Sequence, residues 1–298
     1  VEDAAPQEDP LIRFEGRSAP EGGEKALRAA FAEAMALPIA PPDETEALAF
    51  AYGDFGPPGT VVADRVDERL GLRLVTFANG VRLNLKRTDI RKDRLRVRVA
   101  VDGGQLLDTR ENPLATAMVA ALARGGLGEH SQDELATILA GRTASFNMSA
   151  GADSFIITGS TTPRDLLLQL QLAAALLTDP GYRPEGEERY ARSIENYFAN
   201  LDATPGRALG TAIGGTLSDG DPRFTLQPRE AYLAQDFAQL RRVIEDRLVR
   251  GAIEVAIVGD VDEHAAIAAV GATLGALGKR EARFRERAAA RERAFTTD

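Results

Sequence analysis

The chain has 298 residues, 44% of them apolar and 27% charged, with a formal net charge of −9. That length suffices for one large domain or two of ordinary size, and the acidic balance argues against a general nucleic-acid binder, whose affinity comes from a basic surface. There is no Cys and there are only two His, His130 and His264, which removes disulfides, thiolate metal sites and a cysteine nucleophile together.

No apolar run reaches the ~18 residues of a membrane span, and no charged-then-apolar stretch reads as a signal peptide. The sequence opens at Val1-Glu2-Asp3 without Met, as expected of a processed chain or a piece of a longer one. In chain order, LIRF (11–14) reads as a short strand and EGGEKALRAAFAEAMAL (21–37) as an Ala-rich amphipathic helix. A proline-rich stretch from Pro38 through Pro57-Pro58 lacks periodicity and reads as a connector, so residues 41–69 are expected to be a linker. Near the other end IEVAIVGD (253–260) and VDEHAAIAAVGATLGAL (261–277) repeat the strand–helix order of 11–37. A weak internal repeat follows, with residues 1–40 as the tail of a preceding domain of the same kind; a chance match of two ordinary strand–helix units is the other reading.

Within LRLVTFANGVRLNLK (72–86), two alternating runs flank Asn79-Gly80, predicting a hairpin with a type I′ turn. RLRVRVAV (94–101) alternates Leu95, Val97, Val99 and Val101 with Arg94, Arg96 and Arg98, placing three guanidinium groups on one sheet face. If this strand pairs with the second hairpin strand, Arg82 and Lys86 join them there; the basic face either binds something anionic or is solvated and salt-bridged. Residues 112–124 are expected to be helical, and Ser131 with Glu134 forms a capping box. TASFNMS (143–149) and SFIITGST (154–161) read as a second antiparallel pair. Thr162-Pro163-Arg164-Asp165 starts a helix with a Leu166, Leu170, Ala173 and Leu177 stripe, and further helices fill 185–250. The sum is an α+β domain over 70–280: a mainly antiparallel sheet with helices packed on one face, followed by a charged linker at 281–298.

Few residues announce chemistry. His130 precedes a helix N-terminus and reads as a surface residue, while His264, among Asp260, Asp262 and Glu263, sits in an ordinary acidic first turn. Neither has a second His at ligand spacing. No Gly-x-Ser-x-Gly elbow occurs, Gly103-Gly104 and Gly214-Gly215 lack phosphate-loop spacing, and Asn147-Met148-Ser149 is a formal glycosylation triplet inside an expected strand.

The succession FANGVRL, VDGGQLLD, a helix followed by SQDEL, SFNMSAG, a Leu-rich helix, DPGYRPEGEERYARSIEN and AIVGDVD resembles the insulinase/pitrilysin zinc-metallopeptidase family over residues 70–280. The resemblance implies one of four similar α+β domains, arranged as two halves that close over a chamber. Active members carry His-x-x-Glu-His, two zinc ligands and a general base. The matching positions here, within ATAMVAALARGG (115–126), are Ala117, Ala120 and Ala121. A further Glu ligand would fall at Glu195, with Glu188 upstream, but one carboxylate does not make a zinc site. By the same resemblance SFN (145–147) matches a strand that holds extended substrate by main-chain pairing, with Asn147 at a contact position; the Arg–Tyr pair that steadies the reacting carbonyl belongs to a domain outside this chain.

The expectation is therefore a metal-free domain from the non-catalytic half of such a peptidase, without cofactor, catalytic or metal-binding residue of its own, helping to enclose an unfolded peptide. Zinc is expected in a catalytic domain of the same polypeptide or a partner subunit. Asn147, Arg96 and Arg98 are the candidate substrate contacts, the arginines favouring acidic segments. Two alternatives stay open: an assembly subunit that never meets substrate, and a rearranged zinc site at Glu188, Glu195 and a histidine. A periplasmic or exported location is favoured over the cytoplasm.

Overall fold

A computed structural model describes residues 12–16, 18–36 and 48–292. The chain divides into two units, Val1–Ala47 and Leu48–Asp298. In the first, Gly22 and Gly23 adopt positive φ and lead into α1 (Gly23–Ala36), which buries none of its residues. The strand expected at 11–14 is not formed among its described residues 12–14, and Leu11 lies outside them.

The second unit is built on a seven-stranded sheet. In chain order its strands are β1 (Val61–Asp67), β2 (Leu72–Phe77), β3 (Arg82–Arg87), β4 (Leu95–Asp102), β5 (Ser149–Ala150), β6 (Ser154–Thr161) and β7 (Ile253–Gly259), and they lie side by side as β1-β2-β3-β7-β4-β6-β5. Only β3 and β7 are parallel; every other pair is antiparallel. The helices are α2 (Gln132–Ile138), α3 (Leu166–Thr178), α4 (Pro184–Ala199), α5 (Pro205–Leu217), α6 (Arg229–Leu233), α7 (Phe237–Arg250), α8 (Glu263–Ala272) and α9 (Ala288–Arg291). The α+β architecture read from the alternation pattern is thus the one observed.

Register makes the core. One row across the sheet runs Val75, Leu83, Val255, Val99, Ile157, all buried on the helix side. The next contains Leu85, Ile257, Val97 and then Gly159. A Cβ on Gly159 would stand 2.2 Å from Gln169 Oε1, so the glycine opens a gap through which this α3 side chain reaches the sheet edge. α3 buries Leu166, Leu170, Ala173 and Leu177, as expected, and also Leu172, Ala174, Ala175 and Leu176, so it is apolar nearly all round. α7 adds Phe237, Leu240, Ile244 and Leu248 at helical spacing.

Several local expectations are corrected. The proposed linker 41–69 contains β1 and, on the core, the partly buried Phe50, Tyr52 and Phe55; residues 41–47 lie outside the described part. β1 is an edge strand, exposed along nearly all its length, so it shows no burial pattern and hence no strong alternation. The Asn79-Gly80 hairpin forms, but only Gly80 has positive φ, 98°. Its turn is a three-residue loop closed by Gly80 N–H to Phe77 O (2.9 Å) and Phe77 N–H to Val81 O (2.9 Å), because Asn79 spends its amide on Leu274 O and Leu277 O.

β3 and β4 do not pair, since β7 lies between them. The connection after β3 steps across the end of β7, with Thr88 N–H bonding Gly259 O (2.8 Å) and Asp260 N–H bonding Arg94 O (3.0 Å). Gly259 has φ 137° and a Cβ there would lie 2.1 Å from Arg94 O, so no other residue fits the crossing.

Residues 112–124 wind as turns and a 3₁₀ helix over 119–125, not as an α-helix. Pro113 has no N–H, and the Thr116 N–H that an α-helix would direct at residue 112 is taken by Asp108 Oδ1 at 2.9 Å. Of the strand expected at 143–149 only Ser149 enters the ladder, together with Ala150. The last helix also stops early: α8 ends at Ala272 and residues 274–276 form a 3₁₀ turn.

The charged tail is no free linker over its described part. Asp102, fully buried at the end of β4, accepts from Arg247 Nη1 (3.0 Å), from the Arg285 N–H (2.9 Å) and twice from Arg287 (2.8 and 2.7 Å). Burial alone would raise the Asp102 carboxyl, but the hydrogen bonds from Arg287, Arg247 and Arg285 outweigh it and hold it below the ordinary range. Residues 293–298 lie outside the described part.

Candidate functional site

The motif segment 115–126 ends in Gly125-Gly126 and packs against α4. Ala117 and Ala120 line a cavity of about 400 Å³, shared with Tyr190 and Ile194 of α4, Asp108, and Tyr232 of α6. Ala121 is buried beside it. Three methyl groups offer no donor atom at the positions where a zinc site of this architecture would need imidazoles and a base. The two glutamates do not compensate: Glu195 pairs with Arg229 at 3.2 Å and Glu188 with Arg192 at 3.6 Å, both with side chains more than half exposed. Among the described residues no group of three or more His, Cys, Asp or Glu is placed to hold a metal ion. The donor set does not fit zinc, and no hydrolytic step is derived from it.

Asp108 is the unexpected member of this cavity. The residue is 9% exposed, and among the described residues its carboxylate accepts only from Thr116, by the N–H at 2.9 Å and by Oγ1 at 3.0 Å. Burial pushes its carboxyl up to about 6, against the lowering effect of the Thr116 hydrogen bonds. Tyr190 is also anomalous, because its buried hydroxyl has no hydrogen-bond partner among the described residues.

A second depression lies on the open face of the sheet. In register across it run Asn84, Ala256, Arg98 and Thr158, then Lys86, Val258, Arg96 and Ser160. The arginines, Arg82 and Lys86 thus share one face although β7 separates them. Arg82 is bridged to Glu254 at 3.5 Å, and Lys86 donates to Leu70 O at 3.0 Å. Arg96 and Arg98 are exposed and make no hydrogen bond or ion pair among the described residues. They border a groove of about 400 Å³ with Ser145, Asn147, Thr158, Ser160 and Val258.

The groove's far wall, residues 143–148, is held by side chains and not by a ladder. Gln169 receives the Ser145 N–H (2.8 Å) and donates to Ser145 O (2.9 Å); Asn147 donates to Thr158 O (2.7 Å) and accepts the Thr158 N–H (3.3 Å). Thr143 is fixed in the same way, its N–H on Asp165 Oδ2 (2.9 Å) and its carbonyl on Thr161 Oγ1 (2.6 Å). Hydrogen bonds from Arg164 depress the Asp165 carboxyl to about 2 despite burial, so it stays charged as an anchor. Asn147 thus completes the edge of β6 with its own side chain.

The histidines part ways. His264 is exposed in the first turn of α8, as expected. His130, expected at the surface, is 4% exposed: its Nε2 accepts the Ala51 N–H at 2.9 Å and its ring stacks on Phe50 at 5.7 Å. Tyr52 completes this anchor, donating to Asp179 (2.6 Å) and accepting the Glu129 N–H (2.8 Å); burial and the Asp179 bond push its hydroxyl up to about 12. Arg183, which no spacing singled out, clamps the loop after the motif by donating to Gly125 O (3.0 Å), Gly128 O (2.6 Å) and His130 O (2.9 Å). The expected capping box is present, with Glu134 N–H on Ser131 Oγ (3.2 Å) and Ser131 N–H on Glu134 Oε2 (2.7 Å).

With this geometry fixed, known proteins can be compared. No protein-family model matches the chain. The chloroplastic stromal processing peptidase of Arabidopsis thaliana is 21% identical over 211 residues, 70% of this chain and 17% of that protein. The periplasmic protease PqqL of Escherichia coli superposes with a TM-score of 0.64 at 17% identity, over 90% of this chain and 29% of that one. A peptidase M16 inactive domain from Pseudomonas fluorescens gives a TM-score of 0.58 at 17% identity, over 70% of this chain and 51% of that one. The chain thus spans well under two thirds of the proteins it matches. Among the described residues no helix is long and apolar enough to cross a membrane. On this structural likeness the sheet-and-helix unit has the fold of an insulinase/pitrilysin-type, M16 peptidase domain.

Proposed function

We propose that this domain belongs to the non-catalytic half of a zinc metallopeptidase of the insulinase/pitrilysin type and forms part of the wall that encloses an unfolded peptide. Methyl groups at Ala117, Ala120 and Ala121 support the absence of hydrolysis here, as does the likeness to a domain described as inactive. Catalysis and zinc belong to the other half, in the same polypeptide or in a partner subunit. The periplasmic assignment of PqqL supports an exported location for the whole protein.

The observation that carries the substrate reading is the open groove. Arg96 and Arg98 stand exposed and unpaired among the described residues, next to the hydroxyls of Ser145, Thr158 and Ser160. A cationic wall in an otherwise acidic chain draws acidic segments of an extended peptide toward it and gives affinity that falls with salt. Asn147 acts there by holding the rim in place, because its amide is already engaged with Thr158.

Arg96→Glu and Arg98→Glu, introduced together, test this. Binding of an acidic peptide to the metal-chelated protein should weaken by about tenfold or more, while a basic peptide should bind no worse. Equal effects on both peptides would refute the groove as a contact surface and favour a purely structural role.

A further inference from the structure

The cavity beside Ala117 and Ala120 holds a carboxylate that the fold satisfies only in part. Asp108 carries its carboxylate there with neutral donors only, and no ion pair to it is formed among the described residues. The cavity's arginine, Arg223, cannot serve as its counter-ion. It is committed to Asp221 (2.9 and 2.6 Å) and to the carbonyls of Ala290 (2.7 Å) and Glu292 (2.9 Å). The Tyr190 hydroxyl, shielded from solvent, has no hydrogen-bond partner among the described residues. Buried charges are ordinarily paired, so a carboxylate that receives neutral donors only, at the wall of a cavity, points to a ligand that supplies positive N–H donors. Ala117, Ala120 and Ile194, with the ring of Tyr232 alongside, give the cavity an apolar strip between the polar side chains of Gln105, Ser149 and Thr225.

We propose that this cavity binds a single lysine or arginine side chain of a peptide. The ammonium or guanidinium group takes the Asp108 carboxylate as counter-ion, and the aliphatic stem lies along Ala117, Ala120 and Ile194. Loss of the motif side chains thereby turns the place of a metal into a pocket for an organic cation. Charge-assisted hydrogen bonds are the strong kind, and a ring beside a cation adds to them. The proposal rests on the reading that this domain handles peptide, but it concerns a different cavity from the arginine groove.

The test uses the full protein under chelation, so that no peptide is cut, and two labelled heptapeptides that differ only in a central lysine or norleucine within alanine. Anisotropy titration should show the lysine peptide bound at least about tenfold more tightly. Asp108→Asn keeps the size and the acceptor for Thr116, and it should erase that difference while thermal unfolding shows the variant folded. Ala117→Leu should weaken the lysine peptide by filling the cavity.

Equal binding of the two peptides, or a lysine preference that survives Asp108→Asn, overturns the pocket and leaves the groove reading standing. No binding of either peptide, or of an acidic one, overturns both.

Discussion

Asp108 shows how one buried side chain links the site to stability. Its folded-state carboxyl titrates near 6, above the ordinary value of 3.8, because burial disfavours the charge. The sign follows: the protonated form is the better buried, so its stabilising contribution is complete below about pH 4 and is lost as pH rises through about 6. Above that range the ionised group costs up to about 3 kcal/mol. Asp108→Asn should therefore raise stability relative to the native chain at pH 8, with the difference shrinking toward pH 4, as measured by denaturant unfolding across that range. A constant difference would show that the carboxyl is not the buried acid described. Tyr52 makes the opposite case, a residue inside an expected linker that ties residues 50–52 to the loop at Glu129 and to Asp179. Removing its hydroxyl in Tyr52→Phe should cost about 1–2 kcal/mol of unfolding free energy.

At the scale of elements, legibility followed burial. Strands buried on one face, β3, β4 and β7, and the stripe of α3 stand in the sequence as periodic apolar residues, and the capping box at Ser131 and Glu134 is readable because its spacing is its mechanism. β1 was missed because an edge strand exposed on both faces needs no alternation. The segments 112–124 and 143–149 were given the wrong local structure for a different reason. Side chains, Asp108 in one case and Gln169 and Asn147 in the other, take the backbone groups that a helix or ladder would use. Such competition leaves no periodic trace. Gln169→Leu tests it: with both backbone groups of Ser145 stripped of their partner, stability should fall by about 1–3 kcal/mol and the Ser145 amide should exchange faster with deuterated solvent. Unchanged exchange would mean that Gln169 does not hold the groove's wall.

Over the whole molecule, the arginine face was legible, because charge alternation in a strand is a local pattern. The cavity was not, because Tyr190, Ile194, Asp108 and Tyr232 meet only through the packing of α4 and α6. Nor was the tail. Its arginines read as a solvated run, yet Arg285 and Arg287 close on Asp102, and Arg223 holds the carbonyls of Ala290 and Glu292. Asp102→Ala leaves Arg247 buried with one partner fewer; it should cost about 3–5 kcal/mol and expose residues 281–292 to limited proteolysis.

The proposed reading is that a domain of this fold holds no zinc of its own. Zinc content settles it most directly: the chain of residues 1–298, equilibrated with micromolar zinc, dialysed and measured by atomic emission, should retain no stoichiometric ion. One zinc per chain, released by Glu195→Gln, would contradict the account.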